Sequence, residues 1–288
     1  MQIQGLSWYP GHMTKTKRMI VAEMGHMDAV CEILDARIPL SSRNPDVDEM
    51  TAGKPRLVVL NRVDQADPRE TGRWAAYFRG KGYAVLESNA KSGVGTAQFA
   101  AAGRGLLRDK LTAYAEKGQI GRTVRVMVLG IPNVGKSTFI NKVAHRKTAK
   151  AEDRPGVTRG KQWVPVDKTL ELLDTPGILW PKFEDPDVGV RLGFTGAIRD
   201  DVMDMEDLAS RLMAYLGAHY PEALTERYKI AVEPGEPGWE LLEKAGRKRG
   251  FLMSGGEVNT ERMARILLDE YRAGKLGRFT LELPEENA

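Results

Sequence analysis

The chain has 288 residues, 42% hydrophobic and 28% charged, enough for one large or two ordinary domains whose core needs no covalent staples. A single cysteine, Cys31, excludes an internal disulfide and fits a reducing compartment. No apolar leader opens the sequence and no run approaches the ~18 apolar residues of a membrane span, so the expectation is a soluble cytoplasmic protein without a membrane partner. The net charge of +4 is uneven, +7 over residues 1–204 and −3 over 205–288, which permits a polyanionic partner without requiring one.

In chain order, residues 14–27 (TKTKRMIVAEMGHM) read as an opening helix, basic on entry. Ala29–Leu34 is a short apolar strand, and DARIPLSSRNP after it carries the prolines and serines of a loop. Arg56–Leu60 is a buried-type strand that runs straight into Asn61-Arg-Val-Asp64. Pro68–Gly80 suits a helix, Tyr83–Leu86 a strand, SNAKSG a loop, and Val94 to about Lys117 a helical stretch broken near Gly103 and Gly105. Val124–Leu129 is the strand before a glycine loop and Lys136–His145 the helix after it. Gln162–Val166 and Thr169–Leu173 form two strands about a tight turn, ending at Asp174-Thr-Pro-Gly177. Strands alternating with helices predict an α/β domain over 1–204 with a mostly parallel sheet covered on both faces. From 205 to 288 four segments carry helical spacing with no strands between, which predicts a small all-helical second domain.

Gly130-Ile-Pro-Asn-Val-Gly-Lys-Ser137 matches G-x-x-x-x-G-K-[ST] in full, between a strand and a helix. In such a loop the amides around Asn133, Val134, Gly135 and Thr138 wrap phosphates at a helix N-terminus. Lys136 reaches the outer phosphates and Ser137 offers a hydroxyl to Mg²⁺. Asn61-Arg-Val-Asp64 resembles the guanine-reading N-K-x-D element of GTPases. The Asp64 carboxylate accepts from guanine N1–H and the 2-amino group, a pattern adenine lacks, so discrimination against ATP is expected. Asn61 would contact N7 and tie this loop to the phosphate loop, and Arg62 would cover the base in place of lysine. Ser88-Asn-Ala90-Lys91 resembles the S-A-K element whose backbone N–H meets guanine O6, with the extra Asn leaving its register open by one residue. Asp174-Thr-Pro-Gly177 resembles D-x-x-G, with Asp174 holding the metal through water and the Gly177 N–H sensing the γ-phosphate. Thr158, in RPGVTRG, stands where a mobile switch threonine would close the Mg²⁺ shell.

The elements thus run guanine reader, S-A-K, phosphate loop, switch threonine, D-x-x-G. That rotated order resembles the circularly permuted GTPases. With WYPGHMTKTKRMI, DARIPLSSRNP and GIPNVGKST it resembles specifically the ribosome biogenesis GTPase A family, over essentially the whole chain. The resemblance implies GTP-dependent binding to a late precursor of the large ribosomal subunit, with its rRNA and ribosomal proteins, and hydrolysis stimulated by that particle. The expected form is a monomer. Two rivals remain open: a K⁺-activated GTPase of another RNA-processing task, and a nucleotide-controlled RNA-binding switch whose hydrolysis is incidental.

Ile178 follows DTPG where many GTPases place the glutamine that orients water, which predicts slow intrinsic turnover. Two compensations are on offer. Asn133 resembles the asparagine of GTPases that bind K⁺ beside the phosphates, and His12 resembles the catalytic histidine proposed for the family. Lys15, Lys17 and Arg18, and Gly246-Arg-Lys-Arg-Gly250 with Trp239 or Phe251 nearby, are the expected RNA contacts. Rotation also joins the γ-phosphate sensor to the helical domain through Trp180–Asp204, which suggests that the two are coupled.

Overall fold

The computed structural model describes residues 11–119, 121–145, 161–180 and 183–284, with the side chains of residues 11 and 12 outside that description. Helix α1 (Gly11–Met24) precedes strand β1 (Ala29–Asp35), helix α2 (Asp46–Met50) and strand β2 (Arg56–Asn61). Helix α3 (Pro68–Gly80) and strand β3 (Ala84–Ser88) follow, then helices α4 (Phe99–Leu106) and α5 (Arg108–Glu116). Strand β4 (Val124–Gly130), helix α6 (Lys136–Val143) and strands β5 (Gln162–Pro165) and β6 (Leu170–Asp174) complete the first part.

The strands form one sheet in the order β3-β2-β1-β4-β6-β5, parallel throughout except for β5 against β6. Both faces of β1 and β2 are buried, which is why AVCEILD and RLVVL are nearly continuous apolar runs. Register places Asp35 beside Asn61 and Asn61 beside Ser88, while Ile33 pairs with Gly130 and Val128 with Asp174. The motif residues therefore line one edge, at the carboxyl ends of the strands. There β1 and β4 are neighbours whose onward connections diverge, the crevice where open α/β sheets bind ligands.

Two core clusters support that edge. One joins Ile20 and Met24 of α1 to Val30, Met127, Leu129, Leu173 and Ile178. The other packs Trp74, Ala75 and Phe78 of α3 against Leu34, Val58 and Leu60. Helix α3 starts where it does because Asp67 accepts from the amides of Arg69 and Glu70 and Pro68 fills the first turn. Helix α1 lies three residues earlier than the expected 14–27. The turn bonds from His26 to Glu23 and Met27 to Met24 end it, and Met27 enters the core instead. Helix α4 carries Gly103 and Gly105 and ends beyond them, anchored by Phe99 edge-on to Phe139 at 5.4 Å.

Helices α7 (Pro186–Phe194), α8 (Met205–His219), α9 (Pro221–Tyr228), α10 (Gly238–Lys248) and α11 (Thr260–Arg272) make up the second part. Asp185, Asp204 and Asn259 cap α7, α8 and α11 through their side chains. By internal contacts the described chain divides into two compact units: 11–184 with 279–284, and 185–278. The expected division fell at 204/205, inside the second of these units. Among the described residues no helix is long and apolar enough to cross a membrane.

Candidate nucleotide site

The glycine loop between β4 and α6 has the backbone its sequence requires. Asn133 and Gly135 both adopt left-handed conformations, φ 59° and 92°. A Cβ on Gly135 would collide with the Asn61 amide nitrogen, and one on Gly177 would lie 2.8 Å from the Pro132 nitrogen. Both positions therefore need glycine for close approach. The Ile178 amide donates to the Gly130 carbonyl at 3.3 Å, which sets DTPG directly against the glycine loop.

Lys136 and Asp174 are almost fully buried and form an ion pair through Asp174 Oδ1. Asp174 Oδ2 is buried with no hydrogen-bond partner among the described residues. An orphaned carboxylate oxygen is costly and suits a hard cation. No group of three or more His, Cys, Asp or Glu gathers as a metal site among the described residues. Mg²⁺ is commonly held by one or two carboxylates together with substrate phosphates and water. Thr175 Oγ1 donates to the Val128 carbonyl at 2.8 Å and fixes the DTPG turn on β4.

Asn61 is the hinge between loops. Its Nδ2 donates to the Val134 carbonyl at 2.9 Å, and its Oδ1 accepts the Ala90 amide at 3.1 Å. One amide side chain thus clamps the guanine-type loop, the 88–91 turn and the phosphate loop together, leaving it a second N–H. Arg62 has φ 66° and donates from Nη2 to the Asn133 carbonyl at 2.8 Å. Asp64 is exposed and makes no hydrogen bond or ion pair among the described residues. Ser88 closes β3, fully buried, with its hydroxyl donating to Val94 O at 3.2 Å. It lies in the strand rather than the loop expected to follow.

Asp35 and Arg37, within the DARIP segment, form a buried pair with Nη2 to Oδ2 at 2.7 Å and Nε to Oδ1 at 2.9 Å. Arg62 Nε lies 3.7 Å from the same carboxylate. Burial alone would raise the Asp35 pKa, but the Arg37 guanidinium and then Arg62 outweigh it and hold the carboxyl below its ordinary range. The sequence of DARIPLSSRNP carries only a family resemblance and does not announce this pairing; an Asp and an Arg two residues apart at a strand end are its available signal.

Other expected residues lie elsewhere. Thr158 and the rest of 146–160 are outside the described residues, and His12 falls in the first turn of α1 with its side chain undescribed. Ile178 turns into the core beside Ile20, Met24 and Leu173 rather than toward the site. Lys15 and Arg18 are exposed, while Lys17 pairs with Asp46 at 2.7 Å. In the helical unit Arg247 pairs with Glu243 and Arg249 with Glu270, and Arg247, Lys248, Arg249 and Trp239 are all exposed. Phe251 lies under the Arg262 guanidinium at 4.3 Å. Lys244, Arg247 and Lys248 line a groove of about 300 Å³ with Ile230 and Ala231.

The family described as 50S ribosome-binding GTPase matches residues 125–214. Ribosome biogenesis GTPase A of Bacillus cereus is 48% identical over 281 residues, 98% of this chain and 95% of that protein. The chain belongs to the ribosome biogenesis GTPase A family. The Thermotoga maritima member is 30% identical over 98% of this chain and 95% of its own length. The GDP-bound YlqF structure superposes with TM-score 0.65 at 27% identity, covering 93% of this chain and all of that one. A GNP-bound YlqF from T. maritima gives 0.64 at 27% identity, covering 94% and 99%. Membership bears out the α/β GTPase fold with a helical C-terminal part and the reading as an enzyme. This chain is a GTPase of ribosome assembly that hydrolyses GTP to GDP and phosphate.

Proposed function

We propose that the chain binds GTP across the carboxyl edge of its sheet and, in that state, docks on a late precursor of the large ribosomal subunit, leaving after hydrolysis. The carrying observation is the convergence of Asn61, the glycine loop and DTPG, with Asp64 exposed and one Asp174 oxygen unpartnered among the described residues. In this reading Asp64 accepts from guanine N1–H and the 2-amino group, and the second N–H of Asn61 reaches N7. The Arg62 stem covers the base and the turn around Ser88 and Ala90 closes its edge. Amides from Asn133 to Thr138 and the Lys136 ammonium take the phosphates. Ser137, Asp174 and Thr158 would hold Mg²⁺, which would supply positive charge to the phosphoryl oxygens, and the Gly177 N–H senses the γ-phosphate.

Because Ile178 is buried among apolar side chains, it cannot position water, and intrinsic turnover is slow. His12 accepts a hydrogen bond from the attacking water on the particle, and a K⁺ held beside Asn133 would supply further positive charge at the phosphates. The exposed Lys248 and Trp239, with the groove at Lys244, are the rRNA contacts in the helical unit, and Lys15 and Arg18 those of α1.

Co-sedimentation with immature and mature large subunits tests this. Binding to the immature particle is expected with a non-hydrolysable GTP analogue and loss of it with GDP. Equal binding under both nucleotides would refute the cycle. On the same particles His12→Ala is expected to lose stimulated hydrolysis while still binding GTP, and KCl to support faster turnover than NaCl at equal ionic strength.

A further inference from the structure

Residues 279–284 follow the last helix in sequence, yet they pack on the sheet unit. Phe279, Thr280, Leu281 and Glu282 are all nearly inaccessible to solvent. The Phe279 amide donates to the Gln65 carbonyl at 2.9 Å, and the Thr280 hydroxyl accepts the Asp67 amide at 3.2 Å. These bonds seize the chain just beyond Asp64. On the other side the Leu281 amide donates to the Arg37 carbonyl at 2.8 Å. The Glu282 carboxylate accepts the amides of Leu40 at 2.7 Å and Ser41 at 3.0 Å, together with the Ser41 hydroxyl. Trp74 Nε1 donates to the Glu282 carbonyl at 2.9 Å and pins the segment to α3.

Both loops held this way need holding. Arg62, two residues before Asp64, sits at φ 66°, a conformation that an arginine keeps only where its surroundings enforce it. Loop 39–42 in turn carries Ser42, whose Oγ accepts the Asp35 amide at 2.9 Å, and Asp35 faces Arg62. A carboxylate accepting three donors in a buried loop is a strong anchor, because charge-assisted bonds lose little to solvent there.

We propose that residues 279–282 are a positioning strap for base recognition: Thr280 and Glu282 hold the 61–67 and 35–42 loops at the spacing in which Asp64 meets guanine. The proposal rests on reading Asn61–Asp64 as the base-binding loop. It is tested in the full-length chain with Thr280→Val, Glu282→Ala and Glu282→Gln, measuring dissociation constants for GDP and IDP, which lacks the 2-amino group, alongside KM, kcat and thermal midpoint. Thr280→Val and Glu282→Ala are expected to weaken GDP about tenfold and narrow the GDP-to-IDP ratio, the loss falling on KM more than on kcat. Glu282→Gln, which keeps an acceptor oxygen, recovers most of the affinity. A lowered midpoint with unchanged GDP affinity and GDP-to-IDP ratio would reduce the strap to a stabilising contact and overturn the proposal. If Glu282→Ala does not fold, Thr280→Val and Glu282→Gln decide. Asp64→Asn separates the two readings. A GDP-to-IDP ratio unmoved by Asp64→Asn overturns the base-loop reading and the strap with it. A ratio collapsed by Asp64→Asn but untouched by Thr280→Val overturns the strap alone.

Discussion

The sheet unit and the helical unit each bury carboxylates against cations, but they satisfy them differently. In the helical unit Glu270 accepts from Arg227 at 3.1 Å and from the Tyr228 hydroxyl at 2.8 Å, with Arg249 at 3.2 Å, so both its oxygens are engaged. In the sheet unit Asp174 shares one oxygen with Lys136, and the other has no partner among the described residues. A saturated buried ion fastens helices to one another. An unsaturated one at a strand end carries a cost that a bound cation can relieve. On the proposed reading, the contrast separates groups that hold the fold from groups that would act on a ligand.

The largest expected effect tests the acting group. Lys136→Ala is expected to lower the rate of phosphate release from GTP by about a thousandfold, or ~4 kcal/mol. A rate within tenfold of the parent would place that lysine among the fasteners instead. Next comes Glu270→Ala, which strips the centre of the helical network and leaves its cations unpaired. A loss of about 3 kcal/mol is expected in denaturant unfolding, the low end for a buried network because Arg227 is partly exposed. GTP affinity should stay at the parental value, and a matching loss of affinity would break the contrast between the units.

Smallest is the acid limb of stability. Burial would raise the Glu270 pKa, but the hydrogen bonds from Arg227 and Tyr228 and the charge of Arg249 outweigh it and hold the carboxyl below its ordinary range. A depressed folded pKa contributes stability above the unfolded value, and that stability is lost as pH falls through the folded value. Asp35 behaves the same way. Glu32 has the opposite sign, since burial raises its pKa despite Arg43 and Arg56, so its protonation favours the fold. Unfolding measured from pH 7 to pH 3 should therefore show declining stability in the acid range, with a shallower decline for Glu270→Gln.

The chemistry was legible where it is written in consecutive residues. GIPNVGKST matches the phosphate-loop pattern in full, AVCEIL reads as a short apolar strand and RLVVL as a buried-type one. The four helical segments after residue 204 were equally plain from their spacing. Two elements were not. Helix α2 hid in DVDEM, too short for periodicity, and α7 in a Gly-containing run opening on Asp-Pro. What Ile178 faces was also closed to sequence, because DTPGI does not say which side of the turn meets the core.

Sequence by itself determined which groups are available: a phosphate loop, a guanine-type carboxylate, a metal-type aspartate, and the lack of a glutamine after DTPG. Tertiary structure alone decided how they are spaced and held. Asn61 meets Val134 across 73 residues and Glu282 meets Ser41 across 241. Local backbone rules reach only a few positions along the chain, whereas a buried donor takes whichever acceptor the packed fold brings near, and that choice exists only once the sheet has formed.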